Sequence, residues 1–239
     1  VSDPFDGAGE ARRGLAERLA RVRRGIADAA AAAGRDPDTI TTIVVTKFHP
    51  ASLVRDLVEL GVHDVGENRA QEAASKALEL NGVSPTLRWH FIGQLQTNKA
   101  ALVRRFAAAV HSVDRESLVE TLSRASAERH DLDCFLQLAL SDDPGRGGVT
   151  PGRMLPLAEA VLNAPGLRLR GVMAVAPLGE DARAAFAKVR EASERLRSLA
   201  PDATAISAGM SGDYAEAIAE GATHLRIGTA ITGKRPERA

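Results

Sequence analysis

Lysine is scarce in this chain: 31 residues are basic, and only five of them are lysines. One of the five, Lys47, follows Thr41-Thr42-Ile43-Val44-Val45-Thr46, a β-branched run that reads as a buried strand. Phe48-His49-Pro50 then ends the strand. Arginine keeps its proton near neutral pH, whereas a desolvated lysine gives it up. A neutral amine adds to an aldehyde and forms a Schiff base. On this stretch alone a solvated lysine at a strand exit is the simpler account. A second group of residues suggests an anion. Ser211 and Gly212 precede a short helical pattern, whose first N–H groups attract negative charge. Gly228 lets the backbone approach a ligand closely, and Thr229 adds a hydroxyl. Arg226 lies inside an apolar strand pattern and so requires a partner, either an acid or a ligand ring nitrogen.

The elements that must position these residues alternate along the chain. Residues 1–8 read as a loose tail and 9–33 as a long amphipathic helix, with Leu15, Leu19, Val22, Ile26 and Ala33 on one stripe. Apolar runs follow near 42–46, 63–65, 89–92, 108–112, 134–140, 170–175, 204–207 and 223–227, with helical patterns between them. Ala70, Ala73, Ala74, Ala77 and Leu78 line one such helix. Asp114 is a candidate N-cap for another, and Thr150-Pro151 has the form of a helix start. Eight strands alternating with helices predict a parallel sheet, and eight is the closing number of a (β/α)8 barrel of TIM type. The extra N-terminal helix is expected to fill or flank the gap after the eighth strand. An open doubly wound sheet would need a glycine-rich turn after its first strand, and Lys47-Phe48-His49-Pro50 has none. With no linker, repeat or low-complexity tract, residues 1–239 form one predicted domain.

Composition narrows the function. Formal net charge is zero, and aromatic residues make up 3% of the chain, which disfavours nucleic acid and anionic membranes as partners. Arg21, Arg23 and Arg24 are expected to form a solvated face. A lone cysteine, Cys134, lies in an apolar run, and the N-terminus has no apolar signal core. Both point to a reducing cytoplasm. His49, His90 and His111 lie near strand ends without the cysteine or carboxylate pattern of a zinc site and are expected to be ordinary hydrogen-bonded histidines. His63, His130 and His224 carry no functional signal, and Asp142 and Asp143 are expected only to solvate their glycine-rich loop.

In a barrel the site lies at the C-terminal strand ends, and phosphate sites often form after strands seven and eight. Lys47, Gly66-Glu67-Asn68-Arg69, Gly93 to Lys99, Ser112 and Asp114, Ser141 to Gly148, Ser207 to Asp213, and Arg226 to Thr229 all gather there. A reactive lysine with a phosphate site suggests pyridoxal phosphate, or else a Schiff-base aldolase acting on a sugar phosphate. Thr46-Lys47, Gly66-Glu67-Asn68, the run Trp89 to Lys99, Ser207 to Tyr214, and Arg226 to Ile231 together resemble the pyridoxal phosphate homeostasis proteins, from about residue 10 to 235. The resemblance implies a single barrel similar to the N-terminal domain of alanine racemase. It implies pyridoxal 5'-phosphate as a Schiff base on Lys47, phosphate held by Ser211, Gly228 and Thr229, Arg226 facing the pyridine nitrogen, and Asn68 beside the ring. Ser207 is a further candidate for the phosphate shell. The implied role is to bind, buffer and deliver the cofactor, a form of vitamin B6, with apo pyridoxal-phosphate enzymes as recipients and without robust catalytic turnover.

The chain departs from the resemblance in places. His49 is near a position where the family usually has lysine, Ala139 replaces an asparagine of the fifth strand, Arg146-Gly147-Gly148 stands for lysine-serine-glycine, and Ala208 often is methionine. A racemase needs two bases on opposite faces of the ring. Lys47 would be one. The fold-related racemase takes the other, a tyrosine, from a separate domain of another subunit, which this chain is expected to lack. The only tyrosine, Tyr214, is expected to pack or cap. An arginine at the pyridine nitrogen also disfavours ring protonation and weakens the ring as an electron sink. A weak amino-acid racemase is therefore the alternative, ahead of the aldolase. No exposed apolar seam is evident, and a monomer is expected.

Overall fold

The computed structural model describes residues 4–125, 131–141 and 147–235, with side chains from residue 9 onward. Eight parallel strands close in sequence order. They are β1 (Thr41–Val45), β2 (Asp64–Glu67), β3 (Arg88–Phe91), β4 (Ala107–Val113), β5 (Leu132–Gln137), β6 (Leu167–Met173), β7 (Ala205–Ser207) and β8 (His224–Ile227). Around them run α1 (Pro4–Ala32), α2 (Ala51–Glu59), α3 (Ala70–Glu79), α4 (Ala100–Val103), α5 (Glu116–Arg124), α6 (Met154–Leu162), α7 (Ala182–Arg197), α8 (Tyr214–Ala219) and α9 (Thr229–Thr232). This is the (β/α)8 barrel of TIM type with an added N-terminal helix. Its strands are covered on both faces, so they are apolar almost throughout rather than alternating.

The main core lies between the sheet and the helices, and Ala109, Phe135, Met173 and Ala205 form a small second cluster. The expected gap after the last strand holds a one-turn helix, α9, and α1 flanks it by packing on α8 and α9. Arg18 Nε donates to the Ile231 carbonyl (2.7 Å), and Arg35 Nη1 donates to the carbonyls of Ile218 (2.9 Å) and Ala222 (2.7 Å). Arg23, expected only to face solvent, donates from its exposed side chain to the carbonyls of Leu60 (3.4 Å) and Gly61 (3.1 Å) at the end of α2.

Several local expectations are corrected. The first helix starts at Pro4 instead of residue 9, since proline lacks an N–H and suits a first helical turn. Asp114 does not cap α5: its carboxylate takes Arg115 Nη1 at 2.6 Å, and the cap position falls to Arg115. Thr150-Pro151 does not open α6. The Thr150 carbonyl closes a turn onto the Arg153 N–H (2.9 Å), and the helix begins at Met154. Ser112 lies within β4 rather than after it, and Ala139 lies two residues beyond the end of β5. On α3, Ala70 and Ala73 are buried as expected, but Leu78 is 78% exposed and Lys76 is buried instead. Asp142, Asp143, Arg146 and His130 lie outside the described residues. Among the described residues no helix is long and apolar enough to cross a membrane.

Candidate functional site

Lys47 leaves the barrel at the C-terminal end of β1. The strand is buried through Thr46, and the Lys47 side chain is exposed at the mouth. The next residue, Phe48, has φ 69°, the only left-handed backbone at a described non-glycine residue. A bulky residue holds that conformation only when its surroundings impose it. Here they do. The Phe48 N–H donates to Glu72 Oε1 (2.7 Å), and the His49 N–H donates to the Thr46 carbonyl (3.1 Å).

Beneath this turn lies a buried cluster of charge. Lys76 Nζ donates to the Thr46 carbonyl (2.9 Å), Glu67 Oε1 (2.7 Å) and Glu72 Oε1 (2.9 Å), and Thr46 Oγ1 donates to Glu67 Oε1 (2.7 Å). Burial pushes the Glu67 carboxyl above its ordinary value, with Lys76 and Thr46 offsetting part of the effect. Glu72 is also pushed up by desolvation, but the bonds from Lys76 and Phe48 prevail and hold it below its ordinary value. The second lysine near the mouth is thus fully engaged as an ion-pair donor, whereas Lys47 has no ion pair among the described residues and its Nζ lies 5.8 Å from the Phe48 ring centroid. The guanidinium groups of Arg69 (4.9 Å) and Arg235 (4.1 Å) lie over the same ring, so this rim is cationic.

Arg226 supplies a second positive group from within the sheet. Its register partner on β1 is Ile43, one strand away from the Lys47 exit. The residue is 5% exposed. Nη1 donates to Ser207 Oγ (2.7 Å) and Nη2 to the Ala174 carbonyl (2.8 Å). Burial brings its pKa down to about 10, Asp213 alone pulling the other way. Among the described residues no ion pair neutralises this buried cation, and Asp213 is the acid whose charge acts on it.

The loops after β7 and β8 meet beside it. Gly209 has φ 91°, and a Cβ there would press on Ala217 Cβ (2.7 Å). Its carbonyl accepts the Arg226 N–H (3.0 Å), which fastens the loop to β8. Asp213 Oδ1 takes the Met210 N–H (2.6 Å) and shapes the turn that carries Ser211. The Ala230 N–H of α9 donates to Ser211 Oγ (3.4 Å), so Ser211, Gly228 and Thr229 share one edge of the mouth. Ser207 stands lower. It is fully buried, and its hydroxyl already joins Arg226 to His111, so it lies behind Arg226 and not on that open edge.

Asn68, after β2, flanks Lys47 on the other side. Its Oδ1 is buried and has no hydrogen-bond partner among the described residues, and the same is true of Ser112 Oγ. Unpaired polar atoms of this kind cost free energy in a closed core and point to a ligand or solvent partner. Gly93 allows Asn68 its place, because a Cβ at Gly93 would collide with the Asn68 carbonyl and lie 2.7 Å from its Cα. Gly93→Ala is therefore expected to lose about 1–3 kcal/mol of stability by overpacking and to displace Asn68, as urea unfolding and the Asn68 amide resonance would show.

The structure brings Lys47, Asn68, Ser211, Arg226, Gly228 and Thr229 to one end of the barrel, with Ser207 beneath. Sequence reasoning missed Glu67 and Lys76 as supports of the Lys47 turn. The Glu72/Lys76 spacing of four on a helix, in so lysine-poor a chain, was the available signal. It also gave His90 and His111 only an ordinary bonding role, and both are indeed hydrogen-bonded. Tyr214 packs as expected: a Cβ on Gly25 of α1 would run into its hydroxyl.

Comparison with known proteins gives a consistent result. The family model of the alanine racemase N-terminal domain matches residues 18–236. A pyridoxal phosphate homeostasis protein of Corynebacterium glutamicum is 43% identical over 210 residues, covering 84% of this chain and 93% of that protein. A pyridoxal phosphate homeostasis protein of Pseudomonas aeruginosa is also 43% identical, over 225 residues, covering 92% and 96%. The solved structure of PipY from Synechococcus elongatus, with pyridoxal phosphate bound, superposes with a TM-score of 0.80 at 36% identity, covering 92% of this chain and all of that one.

Proposed function

We propose, since this chain belongs to the alanine racemase N-terminal-domain family and, within it, to the pyridoxal phosphate homeostasis proteins, that it binds pyridoxal 5'-phosphate as a Schiff base on Lys47 and serves in the cell's supply of that cofactor. The bound cofactor supplies an aldehyde, which condenses with a primary amine and releases water. The residues present fit it. Lys47 offers an amine that no carboxylate claims among the described residues, while Lys76 is held by two. Ser211, Gly228 and Thr229 offer hydroxyls and backbone to the phosphate. Asn68 offers an amide oxygen without a partner for the ring's polar edge.

The observation that carries the proposal is Arg226: a buried guanidinium with a hydroxyl and a carbonyl for partners and, among the described residues, no ion pair. Such a group meets a neutral acceptor such as a pyridine nitrogen without gaining a counter-ion. It also opposes protonation of that nitrogen, which limits carbanion chemistry. Tyr214, committed to the packing of α8 on α1, gives no second base. Both features favour a carrier that buffers and delivers the cofactor to apo-enzymes in the cytoplasm over a racemase.

Borohydride reduction of the cofactor-loaded protein followed by peptide mass spectrometry is expected to place a pyridoxyl-phosphate adduct on Lys47 and leave Lys76 unmodified. An unmodified Lys47 in loaded protein would overturn the binding proposal. Transfer of the cofactor to an apo-enzyme, with alanine enantiomers left unchanged, is the expected outcome for a carrier. Chiral turnover abolished by Lys47→Ala would identify a racemase instead.

A further inference from the structure

A line of hydrogen bonds crosses the barrel interior beneath Arg226. Ser207 Oγ contacts His111 Nδ1 (2.8 Å), His111 Nε2 contacts His90 Nδ1 (2.9 Å), and His90 Nε2 contacts Asp64 Oδ1 (2.8 Å). It joins β8, β7, β4, β3 and β2, and it ends at the first residue of β2, on the floor of the barrel. His111 is further fixed by stacking on Phe135, with ring centroids 4.2 Å apart and planes 8° from parallel.

Donor chemistry gives this line a direction. The Arg226 guanidinium only donates, so Ser207 Oγ accepts from it. The hydroxyl's one proton then serves its other partner, His111 Nδ1, and no third partner is present among the described residues. Burial chiefly, with the Arg226 and Arg88 charges adding to it, holds His111 well below its ordinary value, so it is neutral. Its proton therefore sits on Nε2 and is donated to His90 Nδ1, which leaves His90 with its own proton on Nε2, facing the Asp64 carboxylate. Asp64 is pulled up by desolvation but drawn down further by the hydrogen bond from His90, with the Arg88 charge adding to that, and it is ionised at neutral pH. Every donor thus points from the cation at the mouth to the anion on the floor. Bonds aligned in this way polarise one another.

We propose that Asp64, His90, His111 and Ser207 are positioning residues for the cofactor: a one-way relay that fixes the Arg226 guanidinium and lets a carboxylate on the barrel floor strengthen its hold. The proposal rests on Arg226 facing the ring nitrogen, but its wiring is testable without cofactor. In the unliganded protein, 15N chemical shifts are expected to show His90 and His111 as neutral rings with the proton on Nε2. A proton on Nδ1 of His111 at neutral pH overturns the relay.

In the loaded protein, Asp64→Asn is expected to keep the Lys47 adduct, to shift the pH midpoint of the cofactor's absorption band, and to release the cofactor about tenfold faster, the equivalent of weakening one charge-assisted hydrogen bond. His111→Phe is expected to show the same shift. His111→Asn, whose amide oxygen falls near the Nδ1 position and again accepts from Ser207, is expected to recover part of it. A band and release rate unchanged in both Asp64→Asn and His111→Phe would overturn the proposal, as would equal loss in His111→Phe and His111→Asn, which a purely structural role predicts. If the parent protein takes no adduct at Lys47, the binding proposal fails, and the 15N measurement still decides the relay.

Discussion

Lys76→Met is expected to cost about 3–5 kcal/mol of folding stability at neutral pH, because it breaks a buried ion pair and leaves one charge behind. Glu67 is 1% exposed and Lys76 is 6% exposed. Among the described residues Glu67 Oε2 has no partner even now, so without Lys76 the carboxylate retains only the Thr46 hydroxyl there. The pH dependence has a definite sign. The folded-state pKa of Glu67 is already raised by burial, and loss of Lys76 raises it further. Between the unfolded and folded values the native state binds the extra proton, so stability falls as pH rises through that window. The deficit of the variant is therefore largest at neutral and alkaline pH and shrinks in acid, where Glu67 is neutral. Adding Glu67→Gln should restore a good part of the loss, since the two sites are coupled. Urea titrations of the single and double variants at two pH values check all three points.

The same substitution reaches the site. Without Lys76, the Thr46 carbonyl loses its ammonium donor and Glu72 loses the group that aims it at the Phe48 N–H. The left-handed backbone at Phe48 stores about 1–3 kcal/mol, and once released it relaxes and takes Lys47 with it. Slower adduct formation at Lys47 in folded Lys76→Met protein is the expected consequence.

The barrel was legible because its pattern is local: eight short apolar runs, the first seven followed by helical spacing, need no knowledge of what touches what. Lys47 was legible because a lysine at a strand exit stands out in so lysine-poor a chain, and Arg226 because it interrupts an apolar strand. Their supports were not. Lys76 sat in what read as an alanine stripe on α3, and its burial follows from Glu67 on a different element. The relay was harder still, since His111 and Ser207 are 96 residues apart and meet only because β4 and β7 face each other across a closed sheet. The caps failed for a related reason. Asp114 had the right side chain for α5, but its carboxylate pairs with the neighbouring Arg115 at 2.6 Å, and Arg115 holds the cap position.

Arg226→Met is expected to separate stability from cofactor retention. Removing the guanidinium leaves Ser207 Oγ and the Ala174 carbonyl without a donor, at about 1–3 kcal/mol for each buried group. Against that, it removes a buried cation whose pKa is depressed to about 10, chiefly by desolvation, and which no ion pair repays among the described residues. Methionine fills a similar volume with an adaptable apolar chain. The two effects oppose each other, and the net loss of stability should stay within about 2 kcal/mol, the usual range for a single substitution. Retention of the cofactor has no such offset. A guanidinium facing the ring nitrogen in a water-poor interior contributes a charged hydrogen bond of about 1.5–3 kcal/mol, or roughly ten- to a hundredfold in the rate of release. The ring nitrogen, freed from the cation, also protonates more readily, so the absorption band acquires a new pH response. A variant that unfolds like the parent, loses cofactor far faster and titrates differently fits an arginine that works on the ring. If band, titration and release all match the parent, Arg226 serves only to fill and bond the barrel, and the residue that meets the ring must be sought among Asn68, Ser112 and the loops above them.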